Sequence, residues 1–196
     1  MRRRRLLLAL ACLAGCQVDD RTASLARDDQ AHPATWGIGT AVAPADLAPF
    51  DTDVSPTGAG LPPGSGDATL GASLYRARCA VCHGGEGEGI APNPPLVGRE
   101  PREGFPFGRD PALVRTIGNY WPHATTLFDY IRRTMPLDAP GSLRDDEVYS
   151  LTAWLLAANE VIPAGSRLDS ASLVAVRMPA RDRFVPDDRT GGKGVR

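Results

Sequence analysis

Two cysteines and a histidine stand close together in the stretch "RCAVCHGG", where Cys79, Cys82 and His83 form a Cys-x-x-Cys-His motif. Two thiols three positions apart, followed by an imidazole, suit three kinds of chemistry. They can contribute to a zinc site, act as a redox dithiol, or attach a haem covalently with the histidine as an axial ligand of the iron.

The remaining sequence favours haem. A structural zinc site takes four ligands, commonly in two pairs, yet there is no second Cys-x-x-Cys, and His32 and His123 are isolated. A redox dithiol usually follows a strand within a βαβ unit, whereas a helical pattern precedes this motif. We therefore predict one covalent haem on Cys79 and Cys82, with His83 as an axial ligand.

The N-terminal residues resemble an export signal. Four arginines at residues 2–5 precede an apolar stretch that is too short to span a bilayer, so we expect residues 1–15 to be a signal peptide. The stretch ends in "LAGC", which resembles the lipobox of bacterial lipoproteins. This predicts acylation of Cys16 and a lipid anchor on the periplasmic side of the cell envelope. The alternative is an ordinary signal, with Cys16 as an unmodified thiol.

Charge and hydropathy limit the partners. The formal net charge of −1 would become −5 without residues 1–15 and their four arginines, and a mildly acidic protein is a poor candidate for binding nucleic acid. After residue 16, no stretch has the eighteen or so apolar residues of a membrane-spanning helix. We expect at most a lipid tether to the membrane.

Helical patterns are confined to residues 67–160. Residues 16–66, rich in Ala, Asp, Pro, Gly and Thr, are predicted to be a tether and extended N-terminal arm. Residues 161–196 form a C-terminal extension in which the pattern predicts no helix. Trp36 and Phe50 are large aromatic residues, which a solvated linker does not need. We therefore expect this part of the arm to pack against another protein surface.

The first predicted helix leads directly into the motif. It covers residues 67–80, with Asp67 as N-cap and Gly71 as a point of close packing against another helix. Its predicted apolar face consists of Leu70, Leu74, Ala77 and Val81.

Two more helices are predicted downstream. A short helix over residues 125–134 must end at or before Pro136. The last helix covers residues 142–159, with Ser142 as N-cap and Asp145 three residues later. Its predicted apolar face consists of Val148, Leu151, Leu155 and Ala158, with Trp154 beside them.

Residues 67–160 resemble a class I cytochrome c. That family has an all-α fold in which N- and C-terminal helices cross around one covalent haem, and here both helices flank the motif. The family's Pro-x-Leu-x-Gly loop is matched by "PPLVG", which begins at Pro94. The resemblance implies that the Pro94 carbonyl holds the imidazole of His83. It also implies that the first helix meets the last one, through Gly71, Leu74 and Tyr75 on the first and Leu151, Trp154 and Leu155 on the last.

The same resemblance implies a methionine as the sixth iron ligand. Met135 stands just before the last helix, where the family places this residue, while Met178 lies beyond that helix. His123, Met178 and an open site remain alternatives, and core filling is the commoner role of methionine. A His/Met pair raises the reduction potential, so the chemistry implied is one-electron transfer without catalytic residues.

Longer stretches narrow the resemblance. Three stretches are similar to the cytochrome subunit of bacterial sulfite or sulfane dehydrogenases of the Sox type: "GTAVAPADLAPFDTDVSPTGAGLPPGSG", "TIGNYWPHATTLFDYIRRTMPLDAPGSLRDDEVYSLTAWLLAANEVI" and "VRMPARDRFVPD". This implies a molybdopterin dehydrogenase subunit as electron donor and a downstream cytochrome or oxidase as acceptor. It also implies that both flanks, with Trp36, Phe50 and Phe184, wrap on the partner or on the cytochrome itself.

Two other functions stay open on the sequence alone. A single haem on a lipid tether would also suit a freestanding carrier between respiratory complexes. A haem enzyme or gas sensor would require a vacant or displaceable sixth position on the iron.

Overall fold

The computed structural model describes residues 37–185. The chain divides into two units, of which the first ends at Ala43; its described residues, 37–43, contain no helix or strand. The second unit begins at Pro44 and contains the following elements: α1 (Pro44–Leu47), β1 (Ser65–Asp67), α2 (Ala68–Arg78), α3 (Ala80–His83), α4 (Ala124–Thr134), α5 (Asp145–Ala158), β2 (Arg167–Asp169) and α6 (Ser170–Ala175). Within the described range, every helix is too short or too polar to cross a bilayer.

Helix α2 begins as predicted but buries a different face. The Asp67 carboxylate accepts a hydrogen bond from the Leu70 amide at 2.9 Å, which confirms the N-cap. The predicted apolar face is wrong, because Leu70 is 49% exposed and Val81, beyond the helix, is 80% exposed. The buried residues of α2 are Ala68, Gly71 and Tyr75. A small residue such as Gly71 allows a neighbouring helix to pack closely. A search for periodic apolar residues does not identify such a position.

Helices α2 and α5 are in backbone contact at Gly71. A Cβ atom at this position would lie 1.9 Å from the carbonyl oxygen of Ser150 and 2.8 Å from the Trp154 Cβ. One turn further along α2, the Tyr75 ring stacks on Trp154 with 3.9 Å between ring centroids. The absence of a side chain at Gly71 therefore sets how closely the two helices pack.

Helix α5 begins three residues later than predicted. Ser142 is not its N-cap; the Ser142 hydroxyl instead accepts a hydrogen bond from Arg78. The first turn is closed at Arg144, whose backbone N–H donates to the Glu147 carboxylate at 2.8 Å. Leu143, which precedes the helix, is buried in the core. The helix therefore begins only after this residue.

Helix α5 is the centre of the core. Val148, Leu151 and Leu155 are buried as predicted, whereas Ala158 is only half-buried. Its other sides are buried too, through Tyr149, Ser150, Thr152, Ala153 and Leu156. A helix covered on nearly all sides is packed by more than one layer, and here α2, α4 and both chain flanks supply the cover.

The prediction of an all-α fold omits a small sheet. The structure is mostly helical, but β1 pairs antiparallel with β2, with Gly66 opposite Leu168. Helix α6 follows directly, and its N-cap Asp169 accepts from the Ser172 amide at 2.8 Å. The C-terminal extension thus has structure where none was expected, because three-residue strands and a six-residue helix are too short to produce a clear period.

Part of the N-terminal arm packs on the helical domain. The Tyr149 hydroxyl donates to the Pro62 carbonyl, and the Asp146 carboxylate accepts from the Ser65 amide, both at 2.8 Å. Phe50, expected to be a contact residue, is 83% exposed in this chain. Trp36 lies outside the described residues.

The C-terminal extension also folds back. Phe184 packs against Phe105 and Tyr120, with ring centroids 5.6 and 5.4 Å apart. Leu173 and Met178 are buried in the same core as α5. The C-terminal extension therefore packs on the helical domain of its own chain.

Asp129 of α4 anchors the N-terminal arm. Its buried carboxylate accepts from the Val54 amide at 2.9 Å and pairs with the Arg133 guanidinium. Burial alone would raise the pKa of Asp129, but these hydrogen bonds and the charges of Arg133 and Arg132 together lower it. The ionised form therefore stabilises the folded protein.

We expect Asp129→Asn to lower the free energy of unfolding by about 1.5–3 kcal/mol at pH 7, the range for hydrogen bonds to a charged group. The difference from wild type should persist above the unfolded-state pKa of about 3.9 and disappear as the pH falls through the lower folded-state pKa. Urea unfolding at several pH values measures this, with the exposed Asp138→Asn as control. A difference that does not depend on pH would contradict the role of the charge.

Candidate functional site

One tight turn brings the three motif residues together. Helix α2 ends at Arg78, and the Cys79 carbonyl then accepts from the amides of Cys82 and His83, at 3.1 and 2.9 Å. Cys79 is half-buried and Cys82 is exposed. Two thiols and an imidazole therefore lie at the C-terminal end of the helix that packs on α5.

The surroundings of this turn do not favour thiol redox chemistry or zinc. Burial raises the pKa of Cys79 to about 11, against a smaller opposite effect of the Arg78 charge. Reactive dithiols have lowered pKa values instead. Within residues 37–185, no three His, Cys, Asp or Glu side chains are grouped so that they could hold a metal ion.

The imidazole of His83 is held by the loop that begins at Pro94. His83 Nδ1 lies 3.1 Å from the Pro94 carbonyl oxygen. Because a carbonyl oxygen only accepts hydrogen bonds, the proton of a neutral imidazole is on Nδ1, and Nε2 keeps its lone pair. A fixed ring with a basic Nε2 is the arrangement that a metal-binding histidine requires.

The glycine-rich loop after the motif folds back to bring Pro94 to His83. The Gly89 amide donates to the His83 carbonyl at 2.8 Å. The amides of Leu96 and Val97, which follow Pro94, both donate to the Gly87 carbonyl, at 2.8 and 3.0 Å. Gly87 has a φ of +83°, which a residue with a side chain rarely adopts.

Tyr75 connects the helix packing to the motif, a role that the sequence alone does not predict. Its ring is completely buried against Trp154, and its hydroxyl donates to the Gly84 carbonyl at 2.9 Å. Gly84 directly follows His83, so the α2–α5 contact also positions the backbone at the imidazole. The only signal in the sequence is that a buried tyrosine hydroxyl usually needs an acceptor.

The candidates for the sixth ligand have different surroundings. Met178 is 4% exposed and part of the hydrophobic core, which is the ordinary role of a methionine. Met135 is half-buried at the C-terminal end of α4, and His123 is half-buried at its N-terminal end. Burial and the Arg181 charge lower the pKa of His123. Met135 stays the predicted sixth ligand.

The donor set fits a covalently bound haem. Cys79 and Cys82 supply two thiols one turn apart, and His83 supplies an imidazole with its Nδ1 proton engaged. Large apolar side chains are exposed close to both predicted iron ligands in the sequence. Val81, two residues before His83, is 80% exposed, and Leu137, two residues after Met135, is 76% exposed. Exposed apolar surface of this kind suits an apolar macrocycle. Cys16, the predicted lipidation site, lies outside the described residues.

Comparisons with known proteins point to haem proteins and sulfur chemistry. A family model described as cytochrome C oxidase, cbb3-type, subunit III matches residues 66–155, which include α2, α3, α4 and most of α5. One chain of the crystal structure of the sulfane dehydrogenase SoxCD from Paracoccus pantotrophus superposes with a TM-score of 0.68 and 37% sequence identity. The match covers 79% of this chain and 74% of that chain.

Two curated relatives are thiosulfate dehydrogenases. The protein from Stutzerimonas stutzeri is 28% identical over 122 residues, which cover 60% of this chain and 35% of that protein. The protein from Allochromatium vinosum is 32% identical over 90 residues, which cover 46% of this chain and 31% of that protein. The chain therefore spans about a third of the length of these relatives.

Proposed function

The chain belongs to the Sox-type c-type cytochromes, and on that premise we propose that it is a periplasmic monohaem electron carrier. It accepts single electrons from a molybdopterin sulfite or sulfane dehydrogenase subunit and passes them to the respiratory chain through a downstream cytochrome or oxidase. The hydrogen bond between His83 and Pro94 is the observation that carries the haem part of this proposal.

Each residue of the site has one task in this proposal. Cys79 and Cys82 would hold haem c through two thioether bonds, and His83 and Met135 would be the ligands of its iron. The bound haem supplies a one-electron couple between Fe(III) and Fe(II). The Pro94 carbonyl keeps the proton on His83 Nδ1 and fixes the ring, which directs Nε2 to the metal.

The likeness to SoxCD supports the choice of electron donor. SoxCD is a sulfane dehydrogenase, and the match to it covers most of this chain at 37% identity.

Leu47 and Phe50 of the N-terminal arm are 50% and 83% exposed. We assign these apolar side chains to the contact with the molybdopterin subunit.

A lipid anchor at Cys16 completes the proposal. The "LAGC" sequence supports acylation after removal of residues 1–15, which would keep the cytochrome at the periplasmic face of a membrane. Release of Cys16→Ser from washed membranes that retain the wild type would support this anchor, and retention of both would contradict it.

We expect the purified, oxidised cytochrome to be reduced when it is mixed with the molybdopterin subunit and sulfite or a sulfane-sulfur donor. The growth of the reduced haem absorption bands measures the reaction. Controls omit either the enzyme or the sulfur donor and should show no reduction. A cytochrome that dithionite reduces but the enzyme does not would contradict the proposed donor. Reduction by a respiratory complex alone would favour the freestanding carrier.

Met135→Leu should abolish the charge-transfer band between the thioether and Fe(III) in the oxidised spectrum. It should also lower the midpoint potential, because a thioether ligand favours Fe(II). Met178→Leu is the matched control, since Met178 fills the core. It should keep the band and cost less than about 1.5 kcal/mol of stability. Persistence of the band in Met135→Leu, or its loss in Met178→Leu, would show that Met135 is not the ligand.

A further inference from the structure

The loop that holds His83 has no helix or strand of its own. Residues 94–100 lack regular secondary structure. Since the Pro94 carbonyl oxygen must stay within hydrogen-bond distance of His83 Nδ1, other residues must fix this segment. The hydrogen bonds of the residues just after Pro94 show which ones do so.

Asn159, at the C-terminal end of α5, holds this loop from inside the protein. It is completely buried. Its Oδ1 accepts from the Gly98 amide at 2.9 Å, and its Nδ2 donates to the Leu96 carbonyl at 3.2 Å and to the Leu155 carbonyl at 2.8 Å. One side chain thus ties two loop residues to the last turn of α5.

A second residue, Thr116, also holds the loop. The Thr116 hydroxyl donates to the Gly98 carbonyl at 2.6 Å, so both polar backbone groups of Gly98 are engaged. Gly118 leaves the space for this arrangement, since a Cβ atom there would lie 2.5 Å from both Asn159 Oδ1 and the Gly98 carbonyl oxygen. Asn159 and Thr116 thus add side-chain hydrogen bonds at Gly98, next to the backbone bonds of Leu96 and Val97 to the Gly87 carbonyl.

We propose that Asn159 is a positioning residue for the axial histidine. It acts through the loop: its amide fixes Leu96 and Gly98, this fixes the Pro94 carbonyl, and the carbonyl fixes His83. Within residues 37–185, the Asn159 side chain forms its hydrogen bonds with Leu96, Gly98 and Leu155, and none with the motif. This inference rests on the proposed haem attachment at Cys79, Cys82 and His83.

The expected consequence concerns the reduction potential. A hydrogen bond from Nδ1 to a carbonyl makes the imidazole a stronger electron donor, which favours Fe(III). If the loop loses its anchor, the bond to Pro94 lengthens and the imidazole donates less. The midpoint potential of the haem should then rise.

Asn159→Leu removes the amide but keeps the same branching of side-chain heavy atoms, and it should raise the midpoint potential in a spectroelectrochemical titration of the haem-loaded protein. The hyperfine-shifted haem methyl resonances of the oxidised protein, which report the orientation of the axial ligands, should move as well. Thr116→Val removes the second anchor of Gly98 and should cause a smaller shift in the same direction. This variant also provides the test if Asn159→Leu does not fold.

Thr152→Val is the matched control. Thr152 is completely buried on the same helix, and its hydroxyl donates only to the Val148 carbonyl, away from the loop. This variant should lose stability but keep the wild-type potential. An unchanged or lowered potential in the Asn159 and Thr116 variants, or an equal rise in the control, would overturn the inference. Absence of covalent haem from the wild type would instead refute the proposed function, so the two failures are distinguishable.

Discussion

The backbone contact between Gly71 of α2 and Ser150 of α5 is the constraint on which the site depends. A single added methyl group at Gly71 would lie 1.9 Å from a carbonyl oxygen, so this contact tolerates no side chain. The two thiols and the histidine directly follow helix α2, and Asn159 directly follows α5. Because the two helices are fixed against each other, their C-terminal ends determine the position of His83 from two directions.

From the α2 side, Tyr75 transmits the contact. Its ring stacks on Trp154 of α5, and its hydroxyl holds the carbonyl of Gly84, the residue after His83. From the α5 side, the Asn159 amide holds the loop whose Pro94 carbonyl accepts from the imidazole. A histidine that is held at both its backbone and its ring has little freedom to move. A ligand in a fixed position lowers the reorganisation energy of one-electron transfer.

The two flanks of the chain add to this core. The strands β1 and β2 join the end of the N-terminal arm to the C-terminal extension, next to the point where Gly66 packs against Ser150. Asp129 holds the arm at Val54, and the aromatic side chains of Phe105, Tyr120 and Phe184 hold the extension. Through β1 and β2, these flanks contact α5 in addition to α2 and α4.

Local sequence patterns predicted what depends on neighbouring residues. The motif, the Asp67 cap and the end of α4 before Pro136 follow from short-range chemistry, and the resemblance to Sox-type cytochromes is confirmed by the comparisons. The buried face predicted for α2 is wrong, because the helix contacts α5 through Gly71 and Tyr75, not through Leu70 and Ala77. Asn159 was missed because an asparagine at a helix end suggests an ordinary cap. Its partners Leu96 and Gly98 are about sixty residues away and become visible only in the fold.

The most direct test of this account is the mass of the intact chain after production in cells that export and mature c-type cytochromes. We predict a mass gain of one covalently bound haem per chain, which is lost when Cys79 and Cys82 are both replaced by serine. A wild-type chain without covalent haem, or a mass gain that survives the double substitution, would contradict the account.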